Sequence, residues 1–512
     1  MNRAHAIALA LVAQALVGLG CGSEPGAEDE YLGAHVVTPG KADDYYSASA
    51  AEYRVRGEVP LELTAAQQAD EKIRTEVADL RVAAVGLYLT AYLADKLTGH
   101  SDNLDYGGFR AMVRNHPAER TEVRATAGGG YVAAFAFDVA GPRDLLTTIP
   151  ASEDADWTQG YPFDLAMPAD PDMLTSDINT FDPETYAGQL EFVRLYARVM
   201  PASPNGYPNF SAFTSDGVYD VALVYGHDYT ADRFDLLEAR EAFHQLVSWG
   251  FVAPVQRFAD LSRDSGPFTT SMRVGAADVV VNVYVYHSDM FLDDRSGQHD
   301  LVLAELATRD VFIYSGHAGP YYGFYLDPDW GATVDVGELA TAPLSSKQQM
   351  FVAQGCQTYS QYADMLYANP AKSEANLDVI TTVNYSYGTG TMAMLYGLVG
   401  TDSTGHHAAT DFGALLVDLD AAAGDFPAVL YGVVGIDDNP KLHPYANLAA
   451  IGEPCSTSAD CGNAAGNICA VGLDGTKQCG AVATAAAGCP EDTQFLPVAS
   501  GGWITQDGCF AF

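Results

Sequence analysis

The chain reads as an α/β protein: a three-layer sandwich on a mostly parallel sheet, preceded by an α+β domain and followed by a small disulfide-rich module. Three observations predict this. From Asp216 onward, short runs rich in β-branched residues alternate with amphipathic helical stretches, as parallel βαβ units require. Upstream, strand-like alternation and helical spacing occur without that regular exchange. Downstream, six of the eight cysteines fall within residues 455–509.

The 512 residues suffice for roughly two to four domains with real cores. Asp plus Glu number 66 against 26 Lys plus Arg, a formal charge of −40. Such a surface repels phosphate backbones and anionic lipid heads, which excludes nucleic acid as a partner. An apolar fraction of 48% excludes wholesale disorder.

Residues 1–20 read as a signal peptide: Arg3, then a mostly apolar run from Ala6 to Gly20 interrupted by Gln14. The small-residue ending before Cys21 resembles the bacterial lipobox, with Leu19 one place later than usual. That resemblance implies lipidation at Cys21 and an outer-membrane or cell-surface lipoprotein. An ordinary secretory signal with an incidental cysteine is the other reading. No other apolar run approaches 18 residues, so no second membrane span is expected.

Residues 21–50 are rich in Gly, Ala, Asp, Glu and Ser and read as a flexible acidic tether. Residues 51–165 read as the α+β domain. Tyr53–Leu63 alternates as a strand, and Thr64 with Gln67 forms a capping box. Ala65–Leu97 has helical spacing, with Gly86 as a break or kink, and Val123–Val139 is a hairpin around Gly128–Gly130. This domain would act as a prodomain if it masked a cleft. Residues 166–215 read as a connecting segment with one helix near Tyr186–Val199.

Residues 216–445 form the α/β domain. Strands are expected at Tyr219–Tyr225, Phe251–Phe258, Asp278–Tyr286, Val311–Ser315, from Val352 and at Asp378–Asn384. Helices are expected from Asp235 to Trp249, at Gly297–Arg309 and at Gly413–Ala423. Residues 446–512 are the Cys-rich module. Cys455, Cys461, Cys469, Cys479, Cys489 and Cys509 imply three disulfides in one of 15 connectivities. Cys356 is then left over, either as a buried small hydrophobe or as a reactive thiol.

In a parallel sheet the chemistry sits at the C-terminal ends of the strands. Val311–Ser315 runs into Gly316-His317-Ala318-Gly319, and the apolar strand around Phe351 runs into Gly355-Cys356. If these strands are neighbours, both side chains emerge at one edge. A thiolate is a nucleophile, and a nearby imidazole stabilises it and can protonate a leaving amine. The N–H groups of Ala318 or Gly319, with that of Cys356, could form an oxyanion hole. A helix at Tyr359–Tyr367 would add positive potential at its N-terminus.

These residues resemble the caspase-like cysteine peptidases, the clan holding caspases, legumains, gingipains and separases. Their shared pattern is an apolar block then His-Gly, and a second apolar block then a small residue and Cys. His317 matches the catalytic His and Cys356 the nucleophile, over about residues 216–400. The resemblance implies a caspase-like sandwich and hydrolysis of peptide or protein substrates through a Cys356 thioester, with His317 as acid/base. Ala318 stands where Gly normally follows the His, and Gly355 where Ala is commoner. Asn384, Tyr385 and Ser386 fall where such folds wall the substrate pocket.

His227 and Asp228 follow the first strand; they line the cleft or cap the next helix. His406 and His407, near Asp402 and Asp411, suit a solvated loop better than a metal site. Asp327-Pro328-Asp329 is a turn signal before it is a calcium site. No cofactor or metal is expected, although the acidity leaves calcium open, and the sequence is silent on oligomeric state. No Arg follows Arg309, while four Lys do. An Arg-preferring peptidase that avoids its own cleavage sites accounts for this; so does acid-biased composition. The rival functional class is a non-catalytic binding or structural lipoprotein on the same scaffold.

Overall fold

The computed structural model describes residues 45–512 apart from 99–111, 115–120, 154, 172–177, 179–180, 320–322, 328–332, 387, 389, 403, 424–428, 463–464, 472–475, 498–505 and 512. The signal peptide, Cys21 and most of the tether lie outside the described residues, as do Pro328, Asp329 and Tyr387. The architecture is mixed α/β with several sheets and three disulfides near the C-terminus.

The first sheet contains β1 (Ala50–Leu61), β2 (Thr121–Ala125), β3 (Tyr131–Pro142), β4 (Tyr161–Pro168) and β5 (Leu190–Val199). They run β2-β3-β1-β5-β4, all antiparallel. Helix α1 (Glu71–Thr98) packs on it through Ala78, Val82, Val85, Leu89 and Leu93, spaced three and four apart. This helix is long and apolar enough to cross a membrane by length and composition, but most of its apolar stretch is buried in this core. The Thr64–Gln67 capping box is present, on a short helix (Ala65–Ala69) that ends at Asp70. Gly86 does not break α1.

Two expectations fail here. The segment read as a helix near Tyr186–Val199 contains β5, whose Val193, Leu195 and Ala197 alternate inward. The last residues of the expected tether are packed: Tyr46 forms a two-way backbone bridge with Val433, and the Ser47 hydroxyl donates to the Tyr431 carbonyl.

The second sheet has seven strands. β6 (Val218–Tyr225), β7 (Phe268–Val274), β8 (Ala277–His287) and β9 (Val311–Ser315) are followed by β10 (Ala318–Gly319), β11 (Gly323–Tyr325) and β12 (Thr333–Val334), which form a small separate sheet. β13 (Gln349–Gln354), β14 (Leu377–Thr382) and β15 (Tyr431–Val434) complete the large sheet in the order β15-β14-β13-β9-β6-β8-β7. The five central strands are parallel; the edges β7 and β15 are antiparallel. The expected strand at Phe251–Phe258 is absent: Val252 makes one bridge to Thr269, and Pro254 cannot donate to a ladder.

Helices cover both faces. α2 (Phe234–Ser248), α5 (Thr391–Val399) and α6 (Phe412–Ala423) bury apolar residues on one face. α3 (Arg295–Thr308) and α4 (Tyr362–Ala368) cover the other, in a core continuous with the first sheet. There Arg114 and Asp364, both buried, pair at 2.9 Å, and the Tyr359 hydroxyl donates to Glu52 at 2.6 Å. The N-terminal sheet is thus welded to the face opposite α2.

The tail carries β16 (Asn467–Val471), β17 (Lys477–Val482), β18 (Thr493–Leu496) and β19 (Gly508–Ala511), ordered β16-β17-β19-β18. Its disulfides are Cys455–Cys469, Cys461–Cys479 and Cys489–Cys509.

Candidate active site

β9 and β13 are neighbours, and their register pairs Ser315 with Gln354. His317 and Cys356 each lie two residues past that pair. β6 flanks β9 on the other side, with Tyr225 opposite Ser315. Three strand ends therefore open on one edge, carrying Asp228, His317 and Cys356 in their turns. The two inner turns touch: a Cβ added at Gly355 would lie 2.5 Å from the Ala318 Cβ.

The His turn is fixed from below. The Tyr314 hydroxyl, buried in the core, donates to the His317 carbonyl at 2.5 Å, and Tyr362 donates to the carbonyls of Gly319 and Gly323. Ala318 and Gly319 are committed to β10, opposite Phe324 and Gly323. Of the two, Ala318 is the residue whose amide approaches the Cys turn, 3.5 Å from the position of a Gly355 Cβ. The imidazole stacks on Tyr229 at 4.2 Å, and its Nε2 lies 3.4 Å from Asp228 Oδ1. Burial disfavours a charged Asp228. The bonds from His317, the Thr230 hydroxyl and amide and the Phe234 amide outweigh it and hold the carboxyl well below the usual range. Asp228 is thus a fixed anion facing an imidazole, able to orient the ring.

The Cys turn is equally held. Thr382 donates to the Gly355 carbonyl, the Gln357 amide to the Asn384 carbonyl at 3.1 Å, and Thr358 to Ala353. Gln357 takes φ 61°, left-handed backbone that side chains seldom adopt. Cys356 Sγ lies 3.9 Å from the Ser386 carbonyl oxygen. Asn384 also accepts from the Leu430 amide, and Tyr385 is buried beside it, so Asn384–Ser386 packs against the Cys356 turn.

Two expectations are corrected. Cys356 is not an unpaired thiol: it is disulfide-bonded. Nor does a helix begin directly after it. A 3-10 turn (Thr358–Ser360) intervenes, and α4 is a short buried helix starting at Tyr362.

No family model, curated protein or solved structure matches this chain. The site is therefore read from its own geometry.

That geometry adds a residue the sequence reading passed over. Glu238, on α2 and half-buried, accepts from the Ser315 hydroxyl at 3.1 Å. Its other oxygen lies where a Cβ on Gly388 would stand; Gly388 has φ 76° and leaves that space open. Burial first, then the negative charges of Asp235, Glu241 and Asp228, push the Glu238 carboxyl up to about 7 against the Ser315 bond. The available signal was the spacing Asp235, Glu238, Ala242, a stripe three and four apart on one side of α2.

Other candidates fall away from the edge. His227 turns to Ser288, within a network of Asp235, Arg233 and Asp289. Burial, then Arg233, lowers its basicity. His406 binds Thr404 on the surface. His407, expected in a solvated loop, is buried between Tyr445 and the Leu398 carbonyl. Asp411 pairs with Asn205 and Asp327 with Arg295, so no cation-binding set forms among them. A cavity of about 500 Å³ lies at the tail junction, lined in part by Asn205, Asp411, His443 and Thr484, but holds none of the expected catalytic residues.

Proposed function

We propose that this chain is an exported caspase-like cysteine peptidase whose nucleophile is held oxidised until it is reduced. The observation that carries this is the pairing of Ser315 with Gln354, which brings the His317 and Cys356 turns into contact at the C-terminal edge of a parallel sheet. Strand order supports the caspase-like fold. In chain order the parallel strands β6, β8, β9, β13 and β14 are laid out second, first, third, fourth, fifth, with an antiparallel sixth, β15, beside the last. His317 follows the third and Cys356 the fourth.

In the reduced chain the Cys356 thiolate attacks the scissile carbonyl carbon. The carbonyl electrons move to oxygen, where the Ala318 and Cys356 amides are positioned to stabilise them. The C–N bond breaks as imidazolium His317 protonates the amine, leaving a thioester. Neutral His317 then takes a proton from water, whose oxygen displaces the thiol and yields the acid. Asp228 holds the ring through both proton transfers. A Cys356 disulfide blocks the first step.

The test is to treat the mature protein with a thiol reductant, then with a peptidyl acyloxymethyl ketone, and map the adduct. Labelling at Cys356, absent without reductant and lost in His317→Ala, is expected. A reduced thiol that alkylates with iodoacetamide but with no peptidyl warhead overturns the proposal. The oxidised Cys356 favours a second reading, an exported non-catalytic scaffold with a structural disulfide there, and that outcome would select it.

A further inference from the structure

We propose that the slot beside Cys356 receives a cationic side chain, Arg or Lys, from the substrate residue preceding the scissile bond, with Glu238 as its counter-ion. The inference deepens the peptidase reading and rests on it.

Alternation along the strands builds the slot. Val221 and Leu223, Val311 and Ile313, and Met350 and Val352 all point into the α2-side core. Side chains two residues further on share that face. They are Tyr225, Ser315 and Gln354, the last residues of three adjacent strands. The apolar core thus ends in a polar rim where the strands stop. Glu238 reaches this rim from α2, and Gly388 and Gly390 reach it from the loop that packs against the Cys356 turn.

Three observations give the slot its chemistry. No Lys or Arg among the described residues pairs with Glu238, although nearby Asp235 and Asp228 each have a partner. Gln354 is buried, with Oε1 accepting from Thr391 and Nε2 without an acceptor. The Tyr225 hydroxyl is likewise buried and unpartnered. A carboxylate among further acids with no cation is a group awaiting one. A guanidinium or ammonium would supply the missing charge, and the Tyr225 hydroxyl oxygen can accept one of its N–H bonds. An acidic substrate side chain would add a second buried negative charge beside Glu238.

The test uses the full mature chain after reduction. Second-order labelling rates at Cys356 are compared for two ketone probes differing only in arginine or its neutral isostere citrulline, in wild type, Glu238→Gln and Glu238→Asp. Binding of benzamidine against benzamide is followed in parallel by thermal shift. Arginine faster than citrulline by about tenfold or more is expected, with the ratio falling toward one in Glu238→Gln and persisting in Glu238→Asp. Benzamidine, not benzamide, should raise the wild-type melting temperature, and Glu238→Gln should lose the rise. Labelling equally fast with citrulline overturns the cationic slot and leaves the peptidase standing. Benzamidine binding without labelling by any probe supports the slot and overturns the peptidase.

Discussion

The two ends of the seven-stranded sheet carry similar residues in opposite arrangements. At the N-terminal end, Lys347 pairs with Asp310 at 2.9 Å, and Arg309 grips Glu305 through two bonds and also reaches Asp220. Asn282 satisfies Asp220 further, and the Arg309 guanidinium lies over the Tyr284 ring. At the C-terminal end, Asp228 faces the His317 imidazole, and Glu238 faces the Ser315 hydroxyl and Gly388, with no cation among the described residues paired to it. One end closes its charges on itself; the other keeps them for something that arrives. The same strands thus serve stability at one edge and chemistry at the other.

Substitutions should separate the two. The largest effect is expected from Cys356→Ser, which should lower peptide turnover by about 10³-fold or more in a fluorogenic assay with reductant. Asp228→Asn keeps the shape but not the charge, and should reduce kcat by about 10- to 100-fold with KM little changed. The contact between the two turns adds a sharper test. A Cβ added at Gly355 would lie 2.5 Å from the methyl of Ala318. Gly355→Ala should therefore cost about tenfold in activity. The double change Gly355→Ala with Ala318→Gly should recover most of it, a non-additivity that a double-mutant cycle measures.

The N-terminal end should behave differently. Arg309→Ala leaves Glu305 and Asp220 without their cation and should destabilise the fold by about 2 kcal/mol in chemical denaturation, with the arginine-to-citrulline ratio unmoved. The smallest effect concerns Asp378, at the start of β14. Burial pushes its carboxyl up to about 8, and only one of its oxygens has a partner, Asn439. A carboxyl raised in the folded state favours its protonated form. That stability is complete below the unfolded value near 4 and is lost as pH rises through about 8. Asp378→Asn should thus raise the melting temperature by a few degrees at pH 9, and by less at pH 5.

The turns at His317 and Cys356 were legible because each follows an all-apolar run that only a central strand can bury, and a small residue ends each run. Strand β5 was not, because Leu190, Val193 and Ala197 fit helical spacing while Val193, Leu195 and Ala197 fit a strand. Only pairing with β1 decides between them. Glu238 was invisible for a related reason: its meaning comes from Ser315 and Gly388, far along the chain and close only in space. The oxidation of Cys356 escaped because a count of cysteines cannot say which of them pair. Residues 51–165 pack on the face opposite Glu238, through Arg114 and Glu52.

The bridge between Tyr46 and Val433 has a colloidal consequence. An open sheet exposes a row of unsatisfied amides and carbonyls along each outer strand, a template on which a second chain can polymerise. Here β15 is met by Tyr46 on its outer side, and β7 by Val252 at Thr269 and by the His406 segment at Arg273. Both flanks are sealed by short irregular pieces of the chain itself. Crowded copies can then stand side by side without their sheets fusing into fibrils.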